Sequence, residues 1–250
     1  ADKQPGKFYG ACAERCQPIM GFLLAGLSAS SDEMQPGKVD FSLPLLYEDD
    51  WLVAVNKPPG LLSTPGRYSD SQDSVLSRLQ NLLPDGEHLV AVHRLDQATS
   101  GVLILARHKD AERLLRQKFQ THRVSKTYEA MLNDMPAAAE GSITLPLWGD
   151  PEDRPRQTVD WQRGKPCETQ YRVVEIEEST PRVEFYPRTG RTHQLRVHAA
   201  HPMGLNTPIC GDRLYGTVGQ FPRLYLHARE LKMRHPESGR ELVLRATTPF

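Results

Sequence analysis

The 250-residue sequence contains few cysteines and no excess of charge of either sign. Its four cysteines, Cys12, Cys16, Cys167 and Cys210, are scattered, which favours a reducing compartment over a disulfide-stabilised scaffold. Basic and acidic residues each number 31, so the formal net charge at neutral pH is zero. The composition therefore gives no sign of bulk attraction to nucleic acid or membrane, and any electrostatic footprint must be local.

Long apolar segments and nucleotide-binding fingerprints are also missing. The apolar stretch at residues 19–27 is too short to cross a bilayer, and it lacks the basic leader of a signal peptide. We therefore expect a cytoplasmic protein that does not insert into membranes. The sequence contains neither a P-loop nor a dinucleotide-binding glycine motif, so we expect no nucleotide cofactor.

The composition changes near residue 40. Residues 1–40 are small, polar and rich in glycine and proline, and we expect an extension with one short helix at about 17–28 followed by a linker.

 That extension is either a linker or the remnant of a longer protein. Residues 41–250 have the mixed apolar and polar texture of one compact catalytic domain.

Within residues 41–250, many short apolar segments predict strands, and only three or four amphipathic segments predict helices. Two of these helices are predicted at 74–83, with Leu82 on the inward face, and at 109–122. This pattern predicts an α+β fold in which a mostly antiparallel mixed β-sheet is flanked by helices.

The stretch HRLDQATSG at residues 93–101 lies between two predicted apolar strands. Rigid strands can hold such a loop so that a side chain is presented in a fixed position. An aspartate in a loop is more often a turn-capping residue, here one that pairs with Arg94. The crowding of His93, Arg94, Asp96 and Thr99 favours a functional loop, because a carboxylate beside an arginine stays ionised and can act as a nucleophile or general base.

A second polar cluster, TGRTHQLRVHAAHP at residues 189–202, predicts a basic helix with Thr192 as its N-cap. Arg191 and Arg196 are candidates to contact an RNA phosphate backbone or a catalytic carboxylate. Three histidines also lie in this stretch: His193, His198 and His201. Their spacing is not that of a zinc-binding helix and no acidic ligand lies between them, so we expect no metal.

Basic residues are concentrated at 107–126 and 188–196. These two segments can present a positive face to a polyanion even in a neutral protein. The first segment can equally be the solvated side of a surface helix. Charge alone leaves both interpretations open.

Taken together, the motifs resemble those of the RluA-type pseudouridine synthases. They follow the family's order over about residues 43–250: NKPPGLLSTPG (56–66), HRLDQATSG (93–101), KTYEA (126–130), GRTHQLRVH (190–198), GDRLYG (211–216) and LHA (226–228). Each motif alone is weak, but the set in register is specific. The resemblance implies a pseudouridine synthase fold and a monomer that acts on stem-loops of ribosomal or transfer RNA.

The resemblance also implies three catalytic residues. Asp96 matches the family's essential aspartate, Tyr128 matches the aromatic residue that packs on the target base, and Arg196 matches the basic residue that pairs with the aspartate. In the implied reaction the N1–C1′ bond of uridine breaks, the uracil turns over and C5 bonds to C1′. Nothing is oxidised and no group is lost, so no cofactor is expected.

Three further residues are expected to bind the substrate. The resemblance implies that Leu195 lines the base pocket and that Arg94 helps to fill the space left by the displaced base, while Arg191 is a candidate phosphate contact. It also implies that Lys57 and Pro58 support the catalytic loop structurally.

The sequence leaves the chemical route and two other functions open. Asp96 can add to C1′ or remove a proton from C2′, and the target base is expected to flip out of its stem-loop. One alternative function is an RNA-binding or RNA-folding module in which catalysis is secondary. Another is a metal-dependent hydrolase that uses the three histidines of residues 189–202.

Overall fold

A computed structural model of the protein describes residues 7–8, 43–84, 86–177, 180–217 and 221–250. The helix predicted at 17–28 and the pair Cys12 and Cys16 lie outside these residues. The division of the chain near residue 40 stays a prediction.

The described residues contain three α-helices and thirteen β-strands. The helices are α1 (Val75–Leu82), α2 (Lys109–Gln120) and α3 (Gln194–Ala200). The strands are β1 (Lys7–Phe8), β2 (Leu45–Glu48), β3 (Leu52–Lys57), β4 (Val90–Ala91), β5 (Ser100–Ala106), β6 (Ser125–Met131), β7 (Glu140–Thr144), β8 (Leu147–Trp148), β9 (Thr158–Val159), β10 (Glu168–Glu177), β11 (Thr180–Pro187), β12 (Leu226–Arg234) and β13 (Glu241–Arg245). None of the described helices has the length and hydrophobicity needed to span a membrane.

Eleven of the described strands form one mixed sheet. Their order is β1-β2-β3-β5-β12-β6-β11-β10-β7, with β13 beside β12 and β4 beside β5. Within the described ranges, β5 pairs with β12 in parallel, and the other pairings in this sheet are antiparallel. The predicted α+β fold with a mostly antiparallel mixed sheet is therefore confirmed.

Strand β5 is buried on both faces of the sheet, between helices α1 and α2. All seven of its residues, SGVLILA, are buried, as expected for a strand covered on both sides. Ile104 belongs to the same core cluster as Ala111 and Leu115 of α2. Leu103 belongs to a second cluster with Leu79 of α1. Alternate residues of β5 therefore face opposite helices, because side chains alternate across a strand.

The first predicted helix is confirmed as α1, but the expected inward position of Leu82 is wrong. Ser74 caps this helix by accepting a hydrogen bond from the backbone N–H of Ser77. Leu82 is 70% exposed. The next residue, Leu83, leaves the helix in an extended conformation and packs against the core instead.

Helix α3 covers the other half of the sheet. Leu195 and Ala199 pack in one cluster with Val183 and Phe185 of β11. The prediction that Thr192 is the N-cap is wrong, because His193 occupies that position with a left-handed backbone (φ 55°). The helix therefore begins with His193 and Gln194 at the edge of the large cleft described below.

Candidate active site

A cleft with a volume of about 1220 Å³ opens beside the loop that precedes β5. Its walls come from residues 59–66, the loop 92–98, the start of β6 and residues 189–193. Five predicted site residues line it: Arg94, Asp96, Tyr128, Arg191 and Arg196. The sixth, Leu195, lines an adjoining recess together with Asp96 and Tyr128. The structure thus brings all six predicted residues to one place.

The loop that carries Asp96 is fixed on both sides of this residue. The Ser63 hydroxyl donates to the Leu95 carbonyl at 2.8 Å and accepts from the Leu95 N–H at 3.0 Å. On the other side, the Gly60 N–H donates to the Gln97 carbonyl at 2.8 Å. These bonds join the HRLD loop to the NKPPGLLS segment, so Asp96 is held by two parts of the chain.

Lys57 strengthens the same junction from inside the protein. Its side chain is fully buried, and its Nζ donates to the carbonyls of Pro58, Leu61 and Gln97 at 2.9, 2.7 and 3.0 Å. Burial lowers the pKa of Lys57 to about 7, although the nearby carboxylate of Asp96 opposes this shift. Three backbone acceptors leave this side chain no hydrogen for a substrate, which supports the expected structural role.

The carboxylate of Asp96 faces two nitrogen-bearing side chains. Its Oδ2 lies 3.8 Å from Nη1 of Arg196 and 3.9 Å from Nε2 of His193, and the Asp96 side chain is 25% exposed. Arg94 is exposed and, within the described residues, makes no ion pair with Asp96. The neighbouring arginine in the sequence is therefore not the partner of this aspartate.

Arg196 makes its closest contacts with Asp212, which sequence reasoning missed. Its Nε and Nη2 donate to the two oxygens of Asp212, each at 2.7 Å, and both side chains are buried. Burial lowers the pKa of Arg196, but the carboxylates of Asp212 and Asp96 outweigh it and raise the pKa overall. The signal for Asp212 in the sequence was the GDRLYG motif.

The turn that follows Asp212 is organised by the same carboxylate. The backbone N–H groups of Leu214 and Tyr215 donate to Oδ1 of Asp212 at 2.9 and 3.1 Å. Burial raises the pKa of Asp212, but its bonds to Arg196 outweigh burial and lower that pKa. Asp212 thereby fixes both the guanidinium of Arg196 and the backbone of Tyr215.

Tyr128 is placed in the cleft by the sheet. It lies on β6, where it pairs with Phe185 of β11 and Ala228 of β12. Burial, with a smaller contribution from the Asp96 charge, raises the pKa of the Tyr128 phenol. The side chain therefore stays neutral and presents an aromatic surface beside the carboxylate.

The three histidines considered as zinc ligands have other partners. His193 contacts Tyr215, and His198 is buried with its Nε2 3.3 Å from the Leu145 carbonyl. His201 accepts a hydrogen bond from the backbone of Met203. In the part of the chain that the structure describes, no group of three or more His, Cys, Asp or Glu residues is arranged to hold a metal.

The cleft is strongly positive although the whole chain is neutral. Among the described residues that line it, Asp96 is the one carboxylate. Six cationic side chains line it: Arg94, Lys126, Arg191, Arg196, Arg213 and Arg223. Burial lowers the pKa of Lys126 to about 8, so most of this charge persists at neutral pH. Because the chain has no net charge, any surface that attracts a polyanion must be local, and this cleft is such a surface.

Comparisons with known proteins agree with this geometry. A family model described as RNA pseudouridylate synthase matches residues 51–201. The chain is 45% identical over 212 residues to the dual-specificity RNA pseudouridine synthase RluA of Escherichia coli K12, covering 83% of this chain and 94% of the relative. The relative of the same name from Yersinia pestis is 42% identical over 210 residues, covering 82% of this chain and 99% of the relative.

Solved structures have the same fold. The human RNA pseudouridylate synthase domain containing 1 superposes with a TM-score of 0.69 at 28% identity, covering 87% of each chain. The human RNA pseudouridylate synthase domain containing 4 gives a TM-score of 0.66 at 29% identity, covering 82% of this chain and 88% of that one. The chain therefore belongs to the RluA family of RNA pseudouridine synthases, which are isomerases.

Proposed function

We propose that this enzyme converts specific uridines to pseudouridine in structured ribosomal RNA, transfer RNA or both. In this proposal Asp96 acts as nucleophile or base on a uridine that has flipped out of its stem-loop, and no cofactor takes part. One observation carries the proposal: Asp96 is the one carboxylate among the described residues of a cleft that six cationic side chains line. Such a cleft attracts a polyanion and directs it to a single acid.

The chemistry requires an ionised carboxylate that substrate can reach. Oδ2 of Asp96 lies 3.8 Å from Nη1 of Arg196, and a quarter of the Asp96 side chain is exposed to the cleft. Asp96 then adds to C1′ or removes the C2′ proton as the N1–C1′ bond breaks. C5 of the released uracil bonds to C1′ while the Asp96–C1′ bond breaks or the proton returns to C2′, and C5 loses a proton as N1 gains one. Hydrolytic glycosidases use a pair of carboxylates, whereas this rearrangement consumes no water. Tyr128 packs on the uracil and keeps water from the reacting atoms.

Binding of the RNA must offset the cost of extruding a base, which is a few kcal/mol. Arg94 is exposed at the cleft, and in this proposal its side chain enters the space that the base leaves. Arg191 is a candidate phosphate contact, and Leu195 gives the inner recess an apolar wall. Contacts with phosphates make affinity depend on salt, so we expect weaker RNA binding at higher ionic strength.

The proposal also covers the oligomeric state, the location and the domain organisation of the enzyme. We propose that it acts as a monomer in the cytoplasm, with residues 41–250 as the catalytic domain and residues 1–40 as an extension. The described strands β2 to β7 and β10 to β13 support this division, because they share one sheet within residues 45–245. Strand β1 of the extension lies at the edge of the same sheet and pairs with β2. Light scattering of the purified protein tests the monomer.

Asp96→Asn tests the catalytic proposal. We expect this variant to bind stem-loop RNA with nearly unchanged affinity but to form no detectable pseudouridine, measured by carbodiimide labelling of the RNA. Asp70→Asn, which changes an exposed aspartate outside the cleft, is the matched control. Near-normal turnover by Asp96→Asn would refute the assignment and would favour an RNA-binding module instead.

An experiment in cells can identify the RNA that the enzyme modifies. Pseudouridines are mapped across ribosomal and transfer RNA from cells with and without the gene, and a plasmid that encodes Asp96→Asn is compared with the wild-type gene. We expect particular sites to disappear without the gene and to return only with the wild-type copy. Identical maps in all strains would contradict both proposed classes of RNA.

A further inference from the structure

His193 lies against the proposed catalytic carboxylate, and none of the roles described so far uses it. Its side chain is 8% exposed, and its Nε2 lies 3.9 Å from Oδ2 of Asp96. The other ring nitrogen, Nδ1, lies 2.8 Å from the hydroxyl oxygen of Tyr215. The imidazole therefore bridges Asp96 and the GDRLYG turn.

The partners of Tyr215 define the tautomer of this imidazole. The Tyr215 hydroxyl oxygen accepts a hydrogen bond from the backbone N–H of Gln157 at 2.7 Å, which leaves the phenolic hydrogen to donate to Nδ1 of His193. A neutral imidazole that accepts at Nδ1 carries its hydrogen on Nε2. Burial lowers the pKa of His193 and raises the pKa of Tyr215, so the imidazole and the phenol are both uncharged at neutral pH.

The backbone of His193 is a second, independent sign of function. Its φ of 55° lies in the left-handed region, which costs a residue other than glycine roughly 1–2 kcal/mol. Residues held in such conformations cluster at functional sites. Here the conformation forms the start of α3, since the His193 carbonyl accepts the N–H of Val197 at 3.0 Å.

We propose that His193 is a positioning residue for Asp96. Tyr215 holds the imidazole with its hydrogen on Nε2, and this N–H orients the carboxylate. The 3.9 Å separation between Nε2 and Oδ2 is longer than a hydrogen bond, and it closes to one as the uridine binds, because catalytic hydrogen bonds often tighten only in the complex with substrate. Arg196 faces the same oxygen, Oδ2, so Oδ1 is left to meet the ribose. The inference rests on the proposed catalytic role of Asp96. The other charged group near the imidazole is Asp212, which is bonded to Arg196.

Two substitutions of His193 separate this role from a purely conformational one. The amide nitrogen of Gln reaches the place of Nε2, whereas the amide of Asn reaches only the place of Nδ1. Asn adopts the left-handed backbone more readily than Gln. A conformational role therefore predicts that His193→Asn is the better variant, and the positioning role predicts that His193→Gln is the better one.

The measurement is the single-turnover rate of pseudouridine formation at saturating enzyme, with RNA affinity determined separately. We expect His193→Asn to be about 10- to 100-fold slower than wild type, the range for a lost hydrogen bond to a charged group. His193→Gln should stay within about fivefold of wild type on the same basis, and RNA affinity should change little in both. His88→Asn and His88→Gln are controls on an exposed histidine outside the cleft.

The tautomer is tested without any change at His193. Nitrogen-15 NMR of the labelled wild-type protein should show a protonated Nε2 and an unprotonated Nδ1. Tyr215→Phe should give a mixture of tautomers and a slower reaction, whereas Tyr171→Phe, which removes a hydroxyl outside the cleft, should change neither.

Several results would overturn the inference. These are a protonated Nδ1 in the wild type, His193→Asn reacting as fast as or faster than His193→Gln, or equal losses of rate and RNA affinity in both variants. Failure of the proposed function gives a different pattern, because Asp96→Asn would then remain active whatever the His193 variants do.

Discussion

Asp212→Asn removes the charge from one side of a buried ion pair while keeping the shape of the side chain. Oδ1 of Asp212 accepts the N–H groups of Leu214 and Tyr215, and an Asn carbonyl can still accept them. Oδ2 accepts the Nε hydrogen of Arg196. In the variant an amide N–H₂ group occupies this place, so two donors face each other.

The expected cost follows from the burial of the pair. The side chains of Arg196 and Asp212 are 5% and 0% exposed. Removing one partner of a buried ion pair leaves an uncompensated charge, which costs about 3–5 kcal/mol. For a chain of this size, each kcal/mol lowers the melting temperature by about 2–4 °C. We therefore expect Asp212→Asn to melt about 6–20 °C below wild type.

The chain offers a matched pair on its surface. Arg78 donates from Nε and Nη2 to both oxygens of Asp73 at 2.7 and 2.6 Å, but those side chains are 27% and 59% exposed. An exposed ion pair contributes about 0.2–1 kcal/mol. Asp73→Asn should therefore lower the melting temperature by no more than about 4 °C.

Calorimetry or thermal denaturation followed by circular dichroism measures both variants under one set of conditions. Equal shifts for the buried and the exposed pair would refute the argument, because the two pairs share their hydrogen-bond geometry and differ in burial. The double replacement Arg196→Met with Asp212→Asn should recover much of the lost stability, because it removes the guanidinium while the Asn carbonyl still accepts from Leu214 and Tyr215. It should remain catalytically impaired, because Asp96 then lacks the nearby positive charge.

Three further predictions concern the surroundings of the catalytic loop. Gly101→Ala should destabilise the protein by about 3 kcal/mol or more in a urea titration, because the φ of Gly101 is +113° and the new Cβ would lie 2.3 Å from the carbonyl oxygen of Ala228. Gly60→Ala is the control, because Gly60 has a φ of +87° but a Cβ there would meet no atom within 4 Å. It should cost only about 1–2 kcal/mol of backbone strain. Burial lowers the pKa of His227 from 6.5 to about 4, so between these pH values the unfolded state binds a proton that the native state does not. The free energy of unfolding therefore falls as the pH falls through this window, by up to about 1.4 kcal/mol per pH unit. His227→Gln should flatten this dependence on pH in unfolding curves, and an unchanged dependence would contradict the assignment. Lys57→Met should leave three backbone carbonyls without their donor. We therefore expect a lower melting temperature and a larger loss in turnover than in RNA affinity. A fully active variant would show that the catalytic loop does not depend on Lys57.

The sequence predicted the parts of the fold that depend on local patterns. The apolar run of β5 indicated a strand, and the apolar spacing of α2 indicated an amphipathic helix. The motifs resembling the RluA family placed Asp96, Tyr128 and Arg196 in one site although they lie far apart in the chain, and all three line the cleft.

The contacts that adjust the site were not predictable in the same way. Arg94 is the arginine nearest to Asp96 in the sequence, yet it is exposed, while Arg196 from a distant helix approaches the carboxylate. Asp212 lies sixteen residues beyond Arg196, and no periodicity links two residues at that distance. The N-cap at Thr192 was wrong because a propensity for capping does not reveal that the next residue adopts a left-handed backbone.

The arrangement of Arg196 explains how one guanidinium can support a reactive carboxylate without blocking it. A direct two-point pair between Arg196 and Asp96 would occupy both oxygens of the acid. Asp212 takes that two-point contact instead, with both hydrogen bonds at 2.7 Å, and the nearest approach of Arg196 to Asp96 is 3.8 Å, from Nη1 to Oδ2. At that distance the positive charge of Arg196 still attracts the carboxylate. Asp212→Asn should therefore slow catalysis as well as lower stability, because the released guanidinium can then close on Asp96.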